Sequence, residues 1–111
     1  MAAQIDEIAP PTLKDWLEDS SRKAPLLLDV REPWEFALCK IEGSVSIPMG
    51  NLISRWPELD METPIVVICH HGVRSFQVAH FLARAGFASP INLKGGVAAW
   101  ASLVDPRMPQ Y

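Results

Sequence analysis

Seven consecutive residues hold most of the chemistry this sequence can do: Cys69-His70-His71-Gly72-Val73-Arg74-Ser75. They follow the most β-prone run of the chain, Ile65-Val66-Val67-Ile68. A helical pattern follows them over residues 74–85. A strand therefore delivers a thiol to a fixed point, and a helix begins just beyond it. The free N–H groups and partial positive charge of a first helical turn favour anions, thiolates among them. Gly72 permits backbone geometry that turns several N–H groups toward one centre. A free thiol titrates near 8.5, and a helix N-terminus with a neighbouring cation brings that to roughly 3.5–7.5. Arg74, or His70 and His71 when protonated, could supply the cation. The bland alternative is a cysteine buried as a small hydrophobe at a strand end.

Other candidates carry less. Asp29 and Arg31, at the end of an apolar run, read as a hydrogen-bond network that steadies the loop region. Glu32 and Glu35 could act as general acids, but a solvated helix start accounts for them more simply. Cys39 could resolve a persulfide into a disulfide, although a lone second thiol is more often incidental. His80 lies within the helical stretch and reads as packing or surface. Cys69, His70, His71 and His80 match no familiar zinc spacing, so no metal is expected. Gly95-Gly96 reads as a tight turn rather than a phosphate cradle.

The elements that must position the loop alternate between short apolar runs and helix-like stretches. Residues 5–8 form a weak strand candidate. Thr12 is placed to cap a helix from Leu13, with Asp15 as box partner and Leu13, Trp16 and Leu17 on one face. Residues 26–30 suggest a strand covered on both faces, as in a parallel sheet, and 65–68 give the strongest strand signal. Pro33 opens a short helix over 34–38. Val45 and Ile47 mark a short strand, and 52–56 make one or two helical turns. Gly86 is a helix C-cap. Residues 91–93 form the last strand and 97–103 the last helix. Strand–helix alternation predicts an α/β layer fold, in which ligands bind beyond the carboxyl ends of strands. Cys69 stands at such an end.

The 111 residues are 49% hydrophobic and carry a net charge of −3. One folded domain spanning 1–111 is expected, with neither the basic surface of a nucleic-acid binder nor a polybasic membrane patch. The first eleven residues lack the basic start and apolar stretch of a signal peptide, and no run is long enough to span a bilayer, so the cytoplasm is the expected compartment. Two cysteines make no disulfide framework.

Leu28-Asp29-Val30-Arg31-Glu32 with Trp34-Glu35-Phe36, then Ile41-Glu42-Gly43-Ser44-Val45-Ser46-Ile47-Pro48, then residues 69–75, then Gly95-Gly96 with Trp100, occur in that order. The ordered set resembles the single-domain rhodanese family. Cys39-Lys40 and Glu42-Gly43 stand where many relatives carry Gly-His and Pro-Gly. The resemblance implies a three-layer α/β fold with a five-stranded, mainly parallel sheet flanked by helices. It implies that Cys69 accepts a sulfane sulfur from a donor such as thiosulfate or a persulfide. The sulfur would pass on to cyanide, a thiol or a protein acceptor. The amides of His70, His71, Gly72, Val73 and Arg74 would surround it, with Asp29, Arg31 and Ser75 in support and no cofactor. Two rivals remain. Phosphatases and arsenate reductases also join a cysteine to an arginine through a loop of amides, but usually with five residues between them rather than the four here. A non-catalytic binding or relay module is the other.

Overall fold

The computed structural model describes residues 5–111; the first four, part of the stretch read for a signal peptide, lie outside the described residues. Five strands form one sheet: β1 (Asp6–Ile8), β2 (Leu26–Asp29), β3 (Val45–Ser46), β4 (Ile65–Ile68) and β5 (Pro90–Leu93). Five helices accompany them: α1 (Pro10–Glu18), α2 (Pro33–Leu38), α3 (Met49–Arg55), α4 (Val73–Ala85) and α5 (Gly96–Leu103). The strand order is β1-β5-β4-β2-β3, and every pairing is parallel.

The position of β4 follows from its composition. All four residues are apolar and fully buried, so the strand needs cover on both faces and sits in the centre of the sheet. Successive side chains point to opposite faces. Val66 and Ile68 join Leu13, Trp16, Val97 and Trp100 under α1 and α5. Ile65 and Val67 join Leu52, Val78 and Leu82 under α3 and α4. The alternation continues into Cys69, which packs with the second group. The thiol is thereby directed to the α4 side at the carboxyl end of the sheet.

Boundaries move by one to three residues, each for a local reason. Helix α1 begins at Pro10 with Ala9 as N-cap, not at a Thr12 cap, because Pro10 and Pro11 fill first-turn positions that need no N–H. Helix α3 starts at Met49, three residues before the expected Leu52, and continues as a single 3-10 turn, Trp56–Glu58, over Pro57. Helix α4 starts at Val73 and ends on Gly86 in the left-handed conformation, as expected of a C-cap.

The Gly95-Gly96 doublet that opens α5 is more than a turn. Val97 donates its N–H to the carbonyl of Cys69 at 2.9 Å, and Ala98 donates to the carbonyl of His70 at 3.0 Å. The first turn of α5 thus holds the start of the 69–75 loop by its carbonyls. Gly96 makes this approach possible: its φ is +61°, and a Cβ there would overlap the carbonyl oxygens of both Cys69 and His70. Gly96→Ala is expected to cost about 2–4 kcal/mol in urea unfolding. Gly50→Ala in α3, where a Cβ meets nothing within 4 Å, is expected to be neutral or slightly stabilising. Equal stability of both variants would show that the close approach is not required.

Candidate active site

The loop joins β4 to α4. Gly72 caps α4 with φ +95°, and a Cβ there would meet the Gly95 nitrogen at 3.1 Å. In this conformation the Gly72 N–H donates to Cys69 Sγ at 3.0 Å, and Ser75 Oγ lies 3.2 Å from the same sulfur. Ser75 is fully buried, in the first turn of α4. The thiol therefore faces one backbone donor and one hydroxyl. It is itself only 1% exposed, so the sulfur is covered in this conformation and a reagent reaches it only if covering atoms move.

Asn92, on β5, was not anticipated. It is 1% exposed and fixes the site from behind. Its Nδ2 donates to the Gly72 carbonyl at 3.1 Å and to Glu7 Oε2 at 2.9 Å, and its Oδ1 faces Ser75 Oγ at 2.5 Å. A polar residue inside the apolar run Pro90–Leu93, at the carboxyl end of a buried strand, was the signal that could have found it.

Asp29 and Arg31 are buried without exposure and paired at 2.8 Å. Arg31 Nε also donates to Asp29, Nη2 donates to the Cys39 carbonyl at 2.6 Å, and Nη1 donates to the Glu35 carbonyl at 3.2 Å and to Tyr111 Oη at 2.9 Å. Burial alone would lower the arginine's pKa; the bonds to Asp29 and Tyr111 reverse that and raise it. The cation binds β2 to α2 and to the C-terminal segment.

Glu35 departs from expectation. Rather than lying in a solvated helix start, it is 3% exposed. Its Oε1 accepts from Arg74 Nη1 at 2.8 Å and from the Glu32 N–H at 2.9 Å; its Oε2 accepts from Arg74 Nη2 at 3.0 Å and from the Tyr111 hydroxyl at 2.7 Å. The Arg74 bonds, helped by Tyr111 and against the effect of burial, hold this carboxyl down at about 2. A carboxylate so saturated cannot serve as a general acid, which removes that reading. Arg74 is in consequence no free cation: its guanidinium is clamped in a bidentate pair.

Tyr111 has no local sequence signal, being 76 positions from Glu35. Burial is the main reason its phenol is pushed up to about 12, so it stays protonated and donates to Glu35. Its ring stacks on His70 at 3.9 Å, and His70 stacks on His71 at 3.8 Å. Burial, then the neighbouring His71, lowers the pKa of His70, which favours the neutral ring at pH 7. His70, His71, Val97 and Ala98 face Pro109, Gln110 and Tyr111 across a cavity of about 100 Å³. A larger hollow of about 470 Å³ lies between α1, α5 and Lys40, and holds none of the loop residues. Val73 is 67% exposed and points away from the core. His80 packs edge-on to Phe76, outside the cluster. Cys39 is a buried free thiol beside Arg31.

Residues 10–103 match the model of the rhodanese-like domain family, and the chain belongs to that family. It is 38% identical, over 99% of its length, to the probable adenylyltransferase/sulfurtransferase MoeZ of Mycobacterium tuberculosis, but spans only 28% of that protein. It is 35% identical to the putative sulfurtransferase YtwF of Bacillus subtilis, with 94% of this chain and 98% of that one covered. The crystal structure of a rhodanese-like domain protein from Staphylococcus aureus superposes with a TM-score of 0.82 at 27% identity, covering 96% of this chain and 99% of that one. Among the described residues no helix is long and apolar enough to cross a membrane.

The Glu35 cluster has a measurable pH signature. A carboxyl whose folded pKa is about 2, against an ordinary 4.5, stabilises the fold above about pH 4.5. That contribution is lost as the pH falls toward 2. It is worth on the order of 3 kcal/mol at neutral pH. Urea midpoints between pH 6 and 2.5 should therefore fall more steeply for the native chain than for Glu35→Gln, which should be the less stable of the two at pH 7. Parallel profiles would show that the carboxylate is not held as described.

Proposed function

We propose that this protein is a sulfurtransferase whose Cys69 takes up a sulfane sulfur as a persulfide and passes it to a thiophilic acceptor. The observation that carries the reading is the Gly72 N–H directed at the Cys69 sulfur at 3.0 Å, in a loop that α5 holds by its carbonyls. The names of the relatives support the same class of reaction.

The chemistry proceeds in two displacements. The Cys69 thiolate attacks the outer sulfur of the donor, an S–S bond forms on Cys69, and the donor's own S–S bond breaks. With thiosulfate the leaving group is sulfite; with a persulfide donor it is a thiolate. The acceptor then attacks the outer sulfur of the Cys69 persulfide, and the electrons of the breaking bond return to Cys69. The inward Gly72 N–H meets Sγ and stabilises the thiolate, as nucleophile and as leaving group, without supplying a proton. Because Cys69 is 1% exposed, uptake includes a displacement of the residues that cover it.

The electrostatics favour a thiol-borne persulfide over thiosulfate as donor. The Arg74 charge is taken up by Glu35, and His70 is held toward its neutral form, which leaves little local positive charge for a dianion. A protein acceptor or donor fits the same reading, since the similar segment in MoeZ is part of a longer protein also named an adenylyltransferase. Cytoplasmic residence and a single functional domain over 1–111 complete the proposal.

The burial of Cys69 keeps a second reading in play, a rhodanese-like module that binds partners without turnover. Intact-mass measurement separates the two. Incubation with a low-molecular-weight persulfide or polysulfide is expected to add one sulfur, reversibly by reductant and not in Cys69→Ser. Cys39→Ser should still load. Failure of the native chain to gain sulfur from persulfide, polysulfide or thiosulfate would favour the module. Faster hydrolysis of an aryl phosphate than sulfur uptake would instead favour the phosphatase reading, which the four-residue spacing to Arg74 argues against.

A further inference from the structure

The hydroxyl of Ser75 has one proton and two acceptors. Cys69 Sγ lies 3.2 Å from Ser75 Oγ, and Asn92 Oδ1 lies 2.5 Å from it. The orientation of the Asn92 amide is not free. Its Nδ2 faces the Gly72 carbonyl and a Glu7 carboxylate oxygen, both of which can only accept, so Nδ2 must be the donor on that side and Oδ1 must face Ser75. All three side chains are essentially without solvent contact, at 0% exposure for Ser75 and 1% for Cys69 and Asn92. Water cannot substitute for whichever partner the proton leaves.

We propose that Asn92 is a positioning residue: it competes with the Cys69 sulfur for the Ser75 proton, and so sets which charge state of that sulfur the site prefers. While Cys69 is a thiol, its S–H donates to Ser75 Oγ and the Ser75 O–H donates to Asn92. Once the sulfur is a thiolate it becomes the stronger acceptor. The Ser75 O–H turns to it, and Asn92 Oδ1 loses its partner. Resting on the sulfurtransferase reading, the same exchange has a place in turnover. A persulfide carries its charge on the outer sulfur, and the inner one, bonded to carbon and sulfur, is a weak acceptor. Ser75 then donates to Asn92. When the acceptor takes the outer sulfur, the electrons of the S–S bond return to Sγ, and the Ser75 O–H swings back to meet the new charge. No proton is transferred; one O–H bond rotates. Asn92 thus stabilises the loaded state, and Ser75 the leaving thiolate.

The test reads the thiol directly, independently of whether the protein transfers sulfur. The full chain is labelled with iodoacetamide across pH, and the midpoint for modification of Cys69 is followed by peptide mass, which separates it from Cys39. Ser75→Ala is expected to move the midpoint up by about one pH unit, the worth of one hydrogen bond to an anion. Asn92→Ala also frees the Gly72 carbonyl, so its effect is read as a difference between two backgrounds. It should lower the midpoint in the presence of Ser75, relative to its effect in Ser75→Ala, by roughly half a unit or more. His70, His71 and Arg74 beside the sulfur, Glu35 behind Arg74, Asp29 and Arg31 on the β2 side and Glu7 behind Asn92 are common to both backgrounds, and their influence cancels in the cycle. Should Asn92→Ala not fold, Asn92→Thr, suited to a strand, gives the same comparison. Equal shifts in the two backgrounds, a coupling of opposite sign, or an unchanged or lowered midpoint in Ser75→Ala would each overturn the proposal. A normal coupling in a protein that takes up no sulfur would instead leave Asn92's role standing and refute the sulfurtransferase reading.

Discussion

The site depends on two hydrogen bonds made entirely by backbone groups. The first turn of α5 donates Val97 N–H to the Cys69 carbonyl and Ala98 N–H to the His70 carbonyl. A peptide unit's carbonyl and N–H point in opposite directions, so fixing these two carbonyls on α5 turns the N–H groups of His70 and His71 away from that helix. The next amide along, the Gly72 N–H, meets the sulfur. The unsatisfied donors of one helix are thus spent on holding the backbone of another segment. The close approach needs a residue without Cβ at position 96. A doublet that looks like a simple turn in the sequence is the point where the closing helix grips the loop.

A second constraint acts on side chains. Glu35 accepts four hydrogen bonds and ties three distant parts of the chain together: α2, which carries it, α4 through Arg74, and the C-terminal segment through Tyr111. Arg31 does the same between β2, α2 and Tyr111. These are buried charges with full sets of partners. Their net stabilisation over apolar replacements is small, whereas removal of one partner strands the other. Their contribution is geometric, because they permit few alternative arrangements of the loop rim. Tyr111, with its hydroxyl in this network and its ring on His70, connects the rim to the charge cluster.

The strands and the long helix were legible because hydrophobic periodicity is local. Ile65–Ile68 reads as a strand from four β-branched letters, and the position of Cys69 at its carboxyl end follows; its central place comes from the sheet order. The internal network was less visible. Asp29 and Arg31 stood out because charges rarely end an apolar run, and burial with mutual pairing is what the structure shows. Glu35 was placed in solvent because helix-start glutamates usually are, and its partners lie 39 and 76 positions away. Tyr111 offered no periodicity to read. The Thr12 cap failed because two prolines before it already satisfied the first turn.

The outcome for Arg74 changes how the site stabilises negative charge. The sequence suggests inward backbone donors at a helix start, joined by a cation that Arg74, or a protonated His70 or His71, could supply. In the structure the Arg74 guanidinium is paired with Glu35 in bidentate geometry, so the pair presents little net charge. What remains near the sulfur is a backbone dipole, a hydroxyl and the start of α4. Such groups act at short range and do little to draw a dianion from solution, whereas a fixed cation does both. A pocket of this kind favours holding an anion already made at Sγ over capturing one from bulk solvent, which is what the proposed return of charge to Cys69 requires. Burial of Cys69 is compatible with that proposal. The same cover that limits access excludes water, and exclusion of water strengthens each short-range donor on which the sulfur's charge depends.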